Sequence, residues 1–178
     1  MNFSISLRIL LFFIFLGLFT TSFQIGSVTI LNEEDAKEIF DEFSKSVSDV
    51  DFSGIFLNNL GVGLPMFIPG AGPIWGLYSG WSTGVSFSAI ISMSPDLTNF
   101  QALDIFYASS FGFLEIVSYS IGMSRGAFLF FALIKRSPKK QLIIWTLLEI
   151  SIVVILLAIG GMIESSMIEP QPLSIKDL

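Results

Sequence analysis

Residues 103–134, LDIFYASSFGFLEIVSYSIGMSRGAFLFFALI, form a run of 32 that is almost wholly apolar yet holds Glu115 and Arg125 in its interior. Few folds are open to a chain with such a run. A helix of about 20 apolar residues crosses about 30 Å of hydrocarbon. In lipid every backbone amide must be paired within the chain, which favours helices. Further apolar runs lie at residues 9–31, 55–68, 74–93 and 142–163. The expected fold is therefore all-α: a polytopic transmembrane helix bundle of five spans, with an amphipathic extracytoplasmic helix between the first and second.

Composition agrees with this reading and removes several functions. Only 13% of the residues are charged and 52% are hydrophobic, where a soluble domain carries about 25% charged residues. Cysteine is absent, which excludes disulfides, thiolate metal sites and thiol nucleophiles. Histidine is absent too, and with it the commonest general base and zinc ligand. No carboxylate cluster has metal-ligand spacing. The expectation is a protein that is no enzyme and takes no cofactor. The net charge of −6 comes from residues 32–54, where eight acids face two lysines. An acidic balance of that kind argues against nucleic acid as a partner.

Along the chain, residues 1–31 form a short head with Arg8 and a first span. A cleaved signal peptide with its apolar core at residues 9–19 is the rival reading, although Thr20, Thr21 and Ser22 are followed by Phe23 and apolar character continues to Ile30. In the acidic segment, Asn32 suits an N-cap and Glu33, Glu34 and Asp35 suit the positive end of a helix dipole. Ala36, Ile39, Phe40, Phe43 and Val47 recur on one apolar face. This helix is either a docking surface for a protein partner outside the membrane or a helix resting on the bilayer with solvated acids. Residues 55–164 read as a four-span bundle and residues 165–178 as a polar tail.

Within the bundle, Asn58 and Asn59 open the second span and PGAGP at residues 69–73 ends it with a turn. Gly76, Gly80 and Gly84 recur every four residues, a face that lets another helix approach closely; a substrate path lined by bare backbone is the alternative. Residues 94–102 form a polar loop with Asp96. As one helix, residues 103–134 would reach about 48 Å, too long for one crossing. A break is expected around Gly122 and Gly126, or earlier at residues 109–112. Arg8 and the four cations of residues 135–141 mark the cytoplasmic side, leaving the N-terminus inside and the C-terminus outside.

Helix rise converts position into depth. Arg125 lies about 13 Å and Glu149 about 10 Å from the inner ends of consecutive spans, so an intramembrane Arg125–Glu149 ion pair with a structural role is expected. Asn58, Asn59, Glu115 and Glu164 share an outer layer. They form either a proton- or cation-responsive polar cluster or interhelical glue.

Five segments also carry a family resemblance: FLNNLGVG (56–63), YSGWSTG (78–84), FGFLE (111–115), IGMSRG (121–126) and GMIES (161–165). In them the chain resembles the stage II sporulation protein M family of five-span membrane proteins, over roughly residues 56–165. It departs from the pattern at Ser110-Phe111-Gly112, where the family often has Pro-His-Gly, and at Ser79, where many members have Asn. The resemblance implies a scaffold: the family's namesake is a membrane anchor that gathers cell-wall-degrading proteins during engulfment.

The function expected is thus an integral membrane scaffold or assembly protein, held in the lipid bilayer. Partners would dock on residues 32–54 or on the lipid-facing surface, where a second copy of the chain is a further candidate. The alternative is the membrane subunit of an exporter energised by a separate ATPase, since the chain has no Walker sequence and interrupted helices often line substrate sites. An intramembrane hydrolase is disfavoured because GLYSG (76–80) has neither the nucleophile spacing nor a histidine partner.

Overall fold

A backbone amide in apolar surroundings has no solvent to pair with, and a helix satisfies it locally. In the computed structural model, which describes residues 5–47, 51–94, 100–136 and 139–168, every regular element is helical. The order is α1 (Ile5–Ser27), α2 (Glu33–Val47), α3 (Phe52–Gly63), a 3-10 turn (Leu64–Phe67), α4 (Ala71–Met93), the short α5 (Asp104–Tyr107), α6 (Ser110–Ile134) and α7 (Lys139–Ile168). Among the described residues, α1, α6 and α7 are long and apolar enough to cross a membrane. Asp96, the side chain of Val47 and the tail beyond Ile168 lie outside the described residues.

Side-chain caps start three of the helices. The Asp35 amide donates to Asn32 Oδ1 at 2.8 Å, that of Gly54 to Asp51 Oδ1 at 2.9 Å, and that of Gly112 to Ser109 Oγ at 3.1 Å. Each cap satisfies an amide that the first helical turn leaves unpaired. On α2 the acids at 33–35, 38, 41 and 42 are exposed, while Ala36 is buried and Ile39 and Phe40 are half-buried. That helix packs on α4.

The most deeply buried helix is α6, flanked by α1, α4 and α7. Phe19 and Phe23 of α1 lie in one core with Met66, Phe106, Ile116, Tyr119, Met123, Val153 and Leu157. The first helix therefore packs one face, through Phe19, Phe23 and Gly26, into the same bundle as α3, α4, α6 and α7. It runs parallel to α4, with Gly80 against Phe19 and Gly84 against Phe23. A Cβ on Gly84 would overlap the Phe23 carbonyl oxygen, and one on Gly26 would overlap that of Trp81. Gly76 faces Met123 of α6 instead. Two hydroxyl bonds reinforce the α1–α4 contact, Ser22 Oγ to Leu77 O at 2.6 Å and Ser88 Oγ to Thr29 O at 2.7 Å.

Three boundaries differ from the sequence expectation. Residues 55–68 are not one regular α-helix: α3 has 12 residues, about 18 Å of helix. Pro65 lacks the amide to continue it, the chain tightens into the 3-10 turn, and Gly70 reverses it at φ 79°, a conformation that favours glycine. Next, α6 runs unbroken through Gly122 and Gly126, and the break falls at the earlier site, where Ser109 caps α6 after α5. The two glycines make room: a Cβ on Gly122 would sit 2.9 Å from Met66 Cβ, and one on Gly126 would overlap the Met66 carbonyl oxygen. Finally, α7 continues past Glu164 to Ile168.

These contacts separate the glycines by consequence. Gly84→Ala is expected to destabilise by about 1–3 kcal/mol through overpacking against backbone. Gly17→Ala, which meets nothing within 4 Å, is expected to stabilise by up to about 1 kcal/mol through helix propensity. Thermal unfolding of the two variants in detergent reads both signs.

Candidate functional site

Glu149 projects from α7 toward α6 and α1. Arg125 grips it with two donors, Nε to Oε2 at 2.7 Å and Nη2 to Oε1. A second guanidinium does the same from α1: Arg8 Nε donates to Oε1 at 3.0 Å and Nη2 to Oε2 at 2.5 Å. Arg8 also donates through Nη1 to Ser124 Oγ at 2.7 Å, and the Ser124 hydroxyl in turn donates to Ile121 O at 3.0 Å. Arg125 in addition lies over the Phe128 ring, 5.3 Å from its centroid, a favourable cation–π placement. Paired guanidinium forks on one carboxylate are the strong, geometrically specific form of ion pair. The cluster carries two positive charges and one negative.

Arg8 was read from the sequence only as a mark of orientation. The expected first span began at Ile9, which put Arg8 outside the helix, whereas α1 starts at Ile5. Ile5 and Leu7 were the available signal, since they extend the apolar run across Arg8 to a depth matching Arg125.

A second polar layer lies toward the other end of α6. Asn59 Nδ2 donates to Glu115 Oε1 at 2.6 Å. Ile55, Asn59 and Gly63 are the buried residues of α3 and recur every four positions, so they share its inward face. Asn58 is displaced from that face, exposed, and only 3.5 Å through its amide from Asn59 Oδ1. It sits at the rim of the cluster. Glu164 is half-buried on α7, three residues beyond Gly161, which faces Ile55 and Phe56 of α3, so it lies toward the same end of the bundle. Tyr119, which the sequence reading passed over, is buried with its ring 5.4 Å from that of Phe19.

In both layers the bonds join one helix to another. Among the described residues, no three Asp, Glu, His or Cys side chains converge on a point that could hold a metal ion. No described buried side-chain nitrogen or oxygen lacks a hydrogen-bond partner. Comparison of the chain with protein-family models, with curated proteins and with solved structures gives no match. The functional reading therefore stands on the residues themselves.

Removing members of the charged cluster should have unequal effects. Glu149→Gln leaves two guanidiniums facing a neutral amide and is expected to cost about 3–5 kcal/mol. Arg8→Gln leaves a balanced Arg125–Glu149 pair and is expected to cost about 1.5–3 kcal/mol. Chemical unfolding in detergent measures both, and equal losses would contradict the charge argument.

Proposed function

We propose that the chain is a non-enzymatic integral membrane scaffold or assembly protein of the stage II sporulation protein M type, which holds partner proteins at the membrane. The observation that carries this reading is how the buried polar groups are used: Arg8, Asn59 and Arg125 bond across helices, Ser118 and Ser120 bond back to their own helix, and no described buried side-chain nitrogen or oxygen lacks a partner. The segments behind the family resemblance supply many of these contacts. They contribute Asn59 and Glu115, Arg125, the close-packed Gly80 and Gly84, and Gly122 and Gly126 beside the 3-10 turn.

In this reading the chain crosses the membrane five times, α3 and α4 adding two legs to α1, α6 and α7. The N-terminus is cytoplasmic and the C-terminus extracytoplasmic. An amphipathic α2 then lies outside, and residues 32–54 offer their exposed acids to a partner. A second reading, the membrane subunit of an exporter driven by a separate ATPase, is favoured by one feature. The chain reverses at Pro69 and Gly70 between two helices, and interrupted helices often line substrate paths.

The deciding experiment is a mild-detergent pull-down of the tagged chain from its own membranes, with mass spectrometry of what accompanies it. A stable partner is expected with wild type and is expected to be lost when the acids of residues 33–42 are changed to amides. Glu115→Gln and Glu164→Gln are expected to lower complex yield. Normal assembly of both, together with lost solute flux, would overturn the scaffold. A co-purifying ATPase indifferent to the acids would favour the exporter.

Because the chain has no cysteine, single cysteines report topology cleanly. A membrane-impermeant thiol reagent applied to intact cells is expected to label Glu42→Cys and to leave Arg136→Cys unlabelled. The reverse pattern would invert the orientation.

A further inference from the structure

Residues 122–128 of α6 are buried without interruption, but from Phe130 to Arg136 every residue except Ala132 is exposed. On α7, residues 140–148 are exposed except for Leu142 and Thr146, which are half-buried. Two contacts locate this boundary. Arg8, bonded at Ser124 and Ile121, lies within the first turn of α1. Gly70 meets the Phe130 ring and donates its amide to Gly126 O at 3.3 Å. Among the described residues the other helices reach no further than that level, and α6 and α7 continue as a two-helix arm, seven residues from Phe130 to Arg136 on the α6 side, about 10 Å at helical rise.

The arm has a consistent chemistry. Its shaft exposes Phe130, Phe131, Ile134, Ile143, Ile144 and Leu147. Among its described residues no exposed position is Gly, Ala or Ser, the residues that let another membrane helix pack closely. Near its end Lys135, Arg136 and Lys140 are exposed, and the sequence has no acid between Glu115 and Glu149. Arg136 and Lys140 are exposed, and neither forms an ion pair with a described residue.

Arg136 also breaks a local rule. It closes α6 at φ 48°, its amide bonded to Leu133 O at 3.1 Å. Glycine or asparagine is preferred at a helix end of this kind, because a side chain there is strained. A strained residue that a glycine would relieve points to a use for its side chain.

We infer that the tip of the α6–α7 arm binds the headgroup of an anionic phospholipid, whose acyl chains lie along the shaft beyond α1 and the turn at residues 68–70. The apolar shaft favours a lipid over a soluble polyanion. The absence of acids favours an anionic headgroup over a zwitterionic one, whose cation would find no partner. The lack of exposed small residues favours lipid over a second protein helix.

The test is native mass spectrometry of the full chain, released from micelles containing equal phosphatidylglycerol and phosphatidylcholine. Wild type is expected to retain phosphatidylglycerol preferentially. Arg136→Gly and Lys140→Gln are each expected to lower the retention ratio about fivefold, the effect of one surface charge. Lys37→Gln on α2 should leave the ratio unchanged. Arg136→Gly should also keep or raise the unfolding temperature in pure phosphatidylcholine, which separates lost binding from lost folding. Equal retention of both lipids by wild type would overturn the proposal, as would an unmoved ratio in the Arg136→Gly, Lys140→Gln double variant. Displacement of the lipid by inorganic phosphate, beyond that caused by chloride of equal ionic strength, would assign the site to a soluble anion instead.

Discussion

A carboxylate in apolar surroundings has to be neutralised where it stands, and Glu149 is neutralised by guanidiniums from two other helices. Each guanidinium uses a two-donor fork, so the bonds set angle as well as distance. The register of α1 against α6 and of α6 against α7 follows from this one group. So does the depth at which the packed part of the bundle ends, because Arg8 lies in the first turn of α1. The cluster keeps one positive charge in excess. That excess lies on the same side as the basic arm, while the acids of α2 lie in a different part of the molecule, against α4.

Beside that cluster the bundle houses a backbone reversal, which brings its own constraint. The 3-10 turn and Gly70 place carbonyls and amides among apolar side chains, where each needs a partner. Ile68 bonds to Pro65, Gly72 to Ile68 and Gly70 to Gly126. The last of these requires the turn to touch the α6 backbone, and only residues without a Cβ at 122 and 126 permit it. Glycine at four-residue spacing thus serves two neighbours in this chain, a helix for Gly80 and Gly84 and a turn for Gly122 and Gly126.

Much of this was legible in the sequence, with telling gaps. Long apolar runs announce helices, and helix rise turns residue counts into depths, so Arg125 and Glu149 could be set side by side. Arg8 was not, because hydropathy draws the start of a helix at the first charge, while a charge with a distant partner lets the helix begin earlier. Counting apolar residues also missed the change from α-helix to 3-10 turn within residues 55–68. Pro65 was visible, but its effect depends on a turn that the glycines of α6 accommodate. Those glycines were one of two places expected to break the helix, and the break lies at the other, residues 109–112, since spacing alone does not tell close packing from an interruption. The choice between Asn58 and Asn59 was available from Ile55 and Gly63, whose shared face contains only the second asparagine.

The bond between Arg8 and Glu149 joins positions 141 residues apart. Ribosomes add about 5–20 residues per second, so Arg8 is made roughly 7–28 s before its acceptor. During that interval its long side chain can reach back to the headgroups. Helix α4 arrives first and meets α1 through glycine and backbone, a contact that involves no charge. Next comes α6 with Arg125 and Ser124, which adds a second cation before any anion. Only α7, the last long helix to be synthesised, brings the carboxylate that both arginines require. Closure of the bundle is therefore a late event in translation, and a chain stalled before residue 149 would hold two unmatched cations in the membrane.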